Sequence, residues 1–230
     1  MAFYASNAAA ATLIVIALHL WGAAEIRNNP AEQFFLAIVG VFWVVLTPKL
    51  FGWLGLSYHD DVIGRRNPAA LLAICGALIG LAILYAGGSI GEGPSYSNNV
   101  FSVGLATAGW LGLWVSLEIF GDVSRSITEE RDAASGLRLG GFLLATALIL
   151  GRAVAGDWHS AGATISDFVR DGWPAAVLGM IAPLVERAVR PRRHRLFPSW
   201  PTYGLAPALS YLLFAGVWLW HLGVWEGFPK

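Results

Sequence analysis

Apolar residues in this chain gather into long runs, and polar residues are confined to the short gaps between them. A helix that crosses a bilayer requires about 20 predominantly apolar residues. Six runs meet that length, at about 8–26, 34–56, 68–90, 100–120, 133–155 and 204–225. A seventh, GWPAAVLGMIAPLVERA at about 172–188, is shorter and carries Pro174 and Pro183. Counting it, the pattern predicts an all-α integral membrane protein with about seven transmembrane helices in a single domain, 1–230. The stretch before the short run, SAGATISDFVRDGW, places Ala161, Ile165, Phe168 and Val169 on one helical face. That spacing suits a short helix lying in the membrane interface, or an extension of the sixth span.

The polar gaps also carry a recurrence. RRNPAALLAICGALIG begins at Arg65 and ERDAASGLRLGGFLLA begins at Glu130, an offset of 65 residues. At that offset Arg66 falls on Arg131, Ala69 on Ala134, Leu72 on Leu137, Gly76 on Gly141 and Leu78 on Leu143. Asn67 falls on Asp132, and both are residue types whose side chains accept free N–H groups at a helix start. Pro68 follows at the first helical position, where its missing N–H is harmless. Each copy is preceded by an apolar run and a polar loop, so the expected unit is a two-helix hairpin used twice, over 34–91 and 100–157. An extra N-terminal span (8–33) and a two-span C-terminal extension (160–230) flank the units. Two parallel units imply a pseudo-twofold axis along the membrane normal. Gly76 and Gly80 in one copy, and Gly136, Gly140 and Gly141 in the other, predict close helix packing, because small residues let backbones approach where lipid supplies no hydrophobic drive.

The string RRNPAALLAICGALIGLAILYAGG and its partner RDAASGLRLGGFLLATALILGRAVAG resemble the small bacterial inner-membrane proteins of domain-of-unknown-function family 350. Members carry tandem two-helix units with an Asn-Xaa-Ala-Ala entry and a small-residue helix. The resemblance covers about Phe34 to Asp157, and it departs from the pattern at Asp132, at the first span and in the C-terminal extension. It implies architecture and compartment, and no activity.

Composition agrees with a membrane setting. Only 13% of residues are charged and 56% are hydrophobic, against about a quarter charged in soluble domains. The formal net charge is zero, which gives no reason to expect nucleic acid as a partner. The single cysteine, Cys75, excludes an internal disulfide or a Cys-based metal centre. MAFYASN lacks the positive stretch of a signal peptide, so the first run is expected to stay as an anchored helix. Positive charge orients the stack: Lys49, Arg65, Arg66, Arg125, Arg131, Arg187, Arg190, Arg192, Arg193 and Arg195 fall on one side, against Arg27, Arg152, Arg170 and Lys230 on the other. This predicts a bacterial inner-membrane protein with a cytoplasmic N-terminus and a periplasmic C-terminus.

Candidate chemistry is sparse. Arg138 lies inside the fifth span and Glu118 at similar depth in the preceding one; charges there have a partner or a task. The two are expected to form a stapling ion pair or a step on an ion path. His19 and His221, toward the outer ends of the first and last spans, are candidates for axial haem ligation, for a metal or a proton relay, or for plain packing. Tyr58-His59-Asp60-Asp61 offers carboxylates in a loop; it reads either as a phosphoryl-transfer metal site or as a solvated loop capping the next helix. His159, near Asp157, stands in a loop with too few further ligands for a metal. Phosphate loops, HExxH and nucleophile elbows are missing. Of the eleven Trp, Trp21, Trp53, Trp158, Trp173, Trp200, Trp220 and Trp225 fit interfacial belts. Trp43, Trp110 and Trp114 fall deeper, facing lipid or a neighbouring helix.

No enzyme is expected, and no cofactor. Three readings follow: a scaffold or accessory subunit that packs with membrane partners or with copies of itself; an ion or small-solute channel or transporter; and a redox subunit binding haem or quinone through His19 and His221.

Overall fold

The computed structural model describes residues 2–190 and 200–223, and over these the chain is helical, with turns and one isolated backbone bridge between Gly22 and Ile90. Its helices are α1 (Ala2–Trp21), a short α2 (Ala24–Arg27), α3 (Pro30–Leu46), α4 (Pro68–Gly88), α5 (Tyr96–Gly121), a short α6 (Val123–Thr128), α7 (Ala133–Ala153), α8 (Ala161–Val189) and α9 (Ala206–Leu222). Among the described residues seven helical stretches are long and apolar enough to cross a membrane. Arg192, Arg193, Arg195, Trp225 and Lys230 lie outside the described residues.

Helix starts follow local chemistry. Asn67 Oδ1 accepts from the N–H of Ala69 (3.0 Å) and of Ala70 (3.4 Å). Asp132 accepts from Ala134 (3.2 Å) and Ser135 (2.9 Å). Each cap follows an arginine in the left-handed region, Arg66 at φ 48° and Arg131 at φ 55°. The N–H of Asn67 donates to Asp61 O (2.9 Å), and that of Asp132 to Ser126 O (3.0 Å). The same Asn-Pro chemistry recurs at Asn29 and Pro30, where Asn29 accepts from Ala31 (3.1 Å). It starts α3 at residue 30, before the apolar run begins.

Two spans differ from expectation. The second is α-helical only to Leu46 and tightens into a 3-10 stretch, Thr47–Leu54, where Pro48 withholds an N–H from the helical ladder. The sixth is longer than its apolar run. Of the two readings of its leading stretch, the extension holds and the separate interfacial helix does not: residues 161–189 form one 29-residue helix through Pro174 and Pro183. At about 1.5 Å per residue it outreaches the ~30 Å hydrocarbon core. Proline is tolerated inside because packing neighbours stabilise the interrupted ladder.

The middle of the bundle is a parallel pair, α4 and α7. Gly136 abuts the Ala69 carbonyl and Gly87 abuts Gly151, so the contact runs in step along both helices. A Cβ on Gly76 would fall 2.5 Å from Gly140 Cα; only bare backbone fits there. Gly80 lies against Ala147, Leu143 O and Trp110, while Gly141 faces away from this seam, against Ala208 of α9. Helices α1 and α3 pack on α4, α8 and α9 pack on α7, and α5 bridges α4, α7 and α8.

Buried polar groups tie the layers together. The Trp110 indole donates to Leu143 O (2.9 Å), Trp43 to Thr107 Oγ1 (3.1 Å), and the Tyr85 hydroxyl to Leu36 O (2.6 Å). Trp110 and Trp114 are therefore core residues, both fully buried beside Phe51, and neither faces lipid. The outer faces of α3 (Phe34, Phe42, Val45) and α9 (Leu213, Val217, Trp220) are exposed and apolar, as a lipid-facing surface requires.

Candidate functional site

Two places hold polar groups that packing alone does not demand. One is a buried charged node, the other an open cavity at the opposite end of the bundle.

The node is built on the first turns of α7. Asp132, Ser135 and Arg138 are spaced three residues apart and share a face. Arg138 is only 2% exposed, and its guanidinium grips Glu186 of α8 with two parallel bonds, Nε–Oε2 at 2.6 Å and Nη2–Oε1 at 2.7 Å. Nη2 also donates to Ser135 Oγ (2.7 Å), and Nη1 donates to the Tyr203 carbonyl at the entry to α9. Ser135 Oγ stands 2.8 Å from Asp132 Oδ2 and 3.0 Å from Glu186 Oε1; with a single proton it donates to one at a time. Asp132 lies 3.8 Å from Arg138 and is already stabilised by the two N–H groups it caps. One side chain thus fastens α7, α8 and the start of α9. A buried bidentate pair with further hydrogen bonds satisfies the desolvated charges.

Glu118 is not the partner of Arg138. It accepts from the N–H of Ser124 (3.0 Å) and from its hydroxyl, closing the turn between α5 and α6. The residue that sequence reasoning missed is Glu186. Its signal was available as a carboxylate inside the run PLVERA, where an unpaired charge is unfavourable.

The cavity, about 650 Å³, opens between the loops that follow α1, α4 and α7. Its rim is stitched by backbone: Gly156 N–H donates to Ile90 O (3.1 Å), Trp158 N–H to Glu92 O (2.7 Å), and Glu92 N–H to Asp157 Oδ1 (2.8 Å). Leu36, Gly88 and Ser102 lie deepest along the lining helices. Beyond them the Tyr85–Leu36 bond and the glycine seam close the bundle.

His19 and His221 are both exposed, on helices that pack at opposite flanks of the bundle, α1 on α4 and α9 on α7. The fold does not bring them together as axial ligands, because the α4–α7 pair stands between their helices. His221 instead lies against Trp218, ring centroids 5.3 Å apart. No group of three or more His, Cys, Asp or Glu among the described residues is placed to hold a metal ion. In Tyr58–Gly64, Asp61 is buried and accepts from Ser57 N–H (2.8 Å) and Arg65 (3.2 Å), whereas His59 and Asp60 are exposed. Hydrogen bonding from His59 and Ser57 holds the Asp60 carboxyl below its usual range. These residues shape a turn.

No family model, curated protein or solved structure matches this chain.

Proposed function

We propose that this chain is a non-catalytic component of a bacterial inner membrane, a scaffold or accessory subunit that packs with other membrane proteins or with a second copy. The observation that carries the reading is the buried node: Arg138 spends its donors on Glu186, Ser135 and Tyr203 inside a closed core. A fully satisfied ion pair of this kind staples helices; it offers no free charge to a moving ion. An N-terminus in the cytoplasm belongs to the same proposal, supported by the arginines around Arg65, Arg125 and Arg190 at one end of the bundle.

The doubled hairpin and the kinship with domain-of-unknown-function family 350 are part of this proposal too. They are supported by the caps, left-handed arginines and backbone bonds that recur at an offset of 65 residues, and by α4 and α7 having the same length, 21 residues. The units differ in detail, since α5 continues for 26 residues where α3 gives way to a 3-10 stretch.

Native mass spectrometry of the chain extracted in mild detergent, with chemical cross-linking in intact membranes, tests the reading. A homo-oligomer or a stoichiometric membrane partner is expected. A chain that is monomeric and alone in both experiments overturns it. A second reading, passage of a small solute, is favoured by the outer cavity; flux in liposomes of the purified chain would establish it, and absence of flux removes it.

A further inference from the structure

We infer that the outer cavity is a binding site for a small organic cation that also carries a hydrogen-bond acceptor, such as a carbonyl or hydroxyl oxygen. The inference is independent of the scaffold reading.

Its first support is a pair of polar groups left without partners. Ser102 is 6% exposed and lines the cavity, and its hydroxyl makes no hydrogen bond with any described residue. Asn98, one turn earlier on the same face of α5, lines the cavity with a buried Nδ2 that likewise has no partner among the described residues. Neighbouring polar groups are satisfied: Asn99 donates to Gly88 O (3.1 Å) and to Ser89 Oγ (2.7 Å). Buried donors are paired almost without exception; the orphan Asn98 Nδ2, with the cavity-facing Ser102 hydroxyl one turn away, marks a place where something else completes the bonding. An orphan N–H and a hydroxyl call for an acceptor on the ligand.

Its second support is charge. Glu25, Glu32, Glu92 and Asp157 line the cavity, and no lysine or arginine does. Walls of one sign concentrate the opposite charge. Tyr96, Trp158 and His159 also line the cavity, and the ring face of a tyrosine or tryptophan attracts an ammonium group. The carboxylates are distributed around the opening and do not converge on a point, in keeping with the lack of a metal-holding cluster among the described residues. A diffuse ammonium group suits such a ring better than a compact metal ion. The volume, about 650 Å³, lies in the range of small-molecule sites.

The full chain in lipid nanodiscs is titrated calorimetrically with choline, ethanolamine and acetylcholine, each as chloride, and with succinate, glucose and calcium chloride as controls. Saturable binding of at least one organic cation is expected, and none of succinate or glucose. Ser102→Val and Asn98→Leu are each expected to weaken that binding about tenfold; Ser102→Val does so with no loss of thermal stability, since its hydroxyl bonds no described residue, whereas Asn98→Leu also removes the Oδ1 that accepts from Ser95 Oγ (3.3 Å). The pair Glu25→Gln with Glu92→Gln, at the exposed rim, is expected to weaken it at least as much and serves as the test should either buried variant fail to fold. The inference is overturned if no organic cation binds at millimolar concentration, if only calcium binds, if succinate or glucose binds equally, or if the folded variants bind like the parent.

Discussion

Arg138 and Glu186 form the contact on which the bundle's interior depends, and removing either one should be far worse than removing both. At 2.7 Å the gross attraction is about 6 kcal/mol for an effective dielectric near 20, and desolvation of both ions offsets most of it. Breaking one half of such a pair strands a buried charge, at about 3–5 kcal/mol. The two halves are not equivalent here. In Glu186→Leu the guanidinium keeps Asp132 at 3.8 Å and the Tyr203 carbonyl, which places the loss near about 3 kcal/mol. In Arg138→Leu two carboxylates, Asp132 and Glu186, face one another across Ser135 with no counter-charge, and the loss moves toward about 5 kcal/mol. The double variant Arg138→Leu/Glu186→Leu leaves Asp132 on its own helix cap and should recover most of the difference. Unfolding by SDS from mild detergent, followed by tryptophan fluorescence, gives the double-mutant cycle. Single variants as stable as the parent, or a double variant as damaged as the sum of its parts, would refute the reasoning.

The glycine seam and the loop between α6 and α7 give two further expectations. Gly76→Ala places a methyl group 2.5 Å from the Gly140 backbone, which cannot step aside, so a loss of about 1–3 kcal/mol is expected in the same SDS unfolding assay. Gly104→Ala, in open space on α5, should be neutral or stabilising by up to about 1 kcal/mol. Burial first, and then the neighbouring Asp132 charge, raises the Glu130 carboxyl above its usual range. A raised acid stabilises the fold below the unfolded-state pKa, near about 4.3, and that contribution fades as pH climbs through the folded value. Glu130→Gln should therefore be slightly more stable than the parent at neutral pH and indistinguishable from it in acid; thermal melts across that range showing the opposite sign would remove the assignment.

What could be read along the chain was local. Asn67 with Pro68, and Asp132 at the matching position 65 residues later, announced the starts of α4 and α7 because an N-cap is settled by residues two or three apart. The same Asn-Pro chemistry at Asn29 and Pro30 was equally readable, yet hydropathy drew attention past it to Phe34. The prolines of α8 suggested a break, and packing against α5 and α7 kept the helix whole. Trp110 and Trp114 gave no sign of which way they faced, since a tryptophan in an apolar run suits lipid and core equally.

Span number, helix entries and the small-residue faces were determined by the sequence alone, since backbone solvation in lipid and capping act over short distances. Tertiary structure alone decided that Arg138 meets Glu186, 48 residues away, while Glu118 closes a turn, and that loops after three separate helices enclose one cavity. Both outcomes depend on how the α4–α7 seam sets the remaining helices around it, and side-chain reach across such distances is fixed only once those helices are in place.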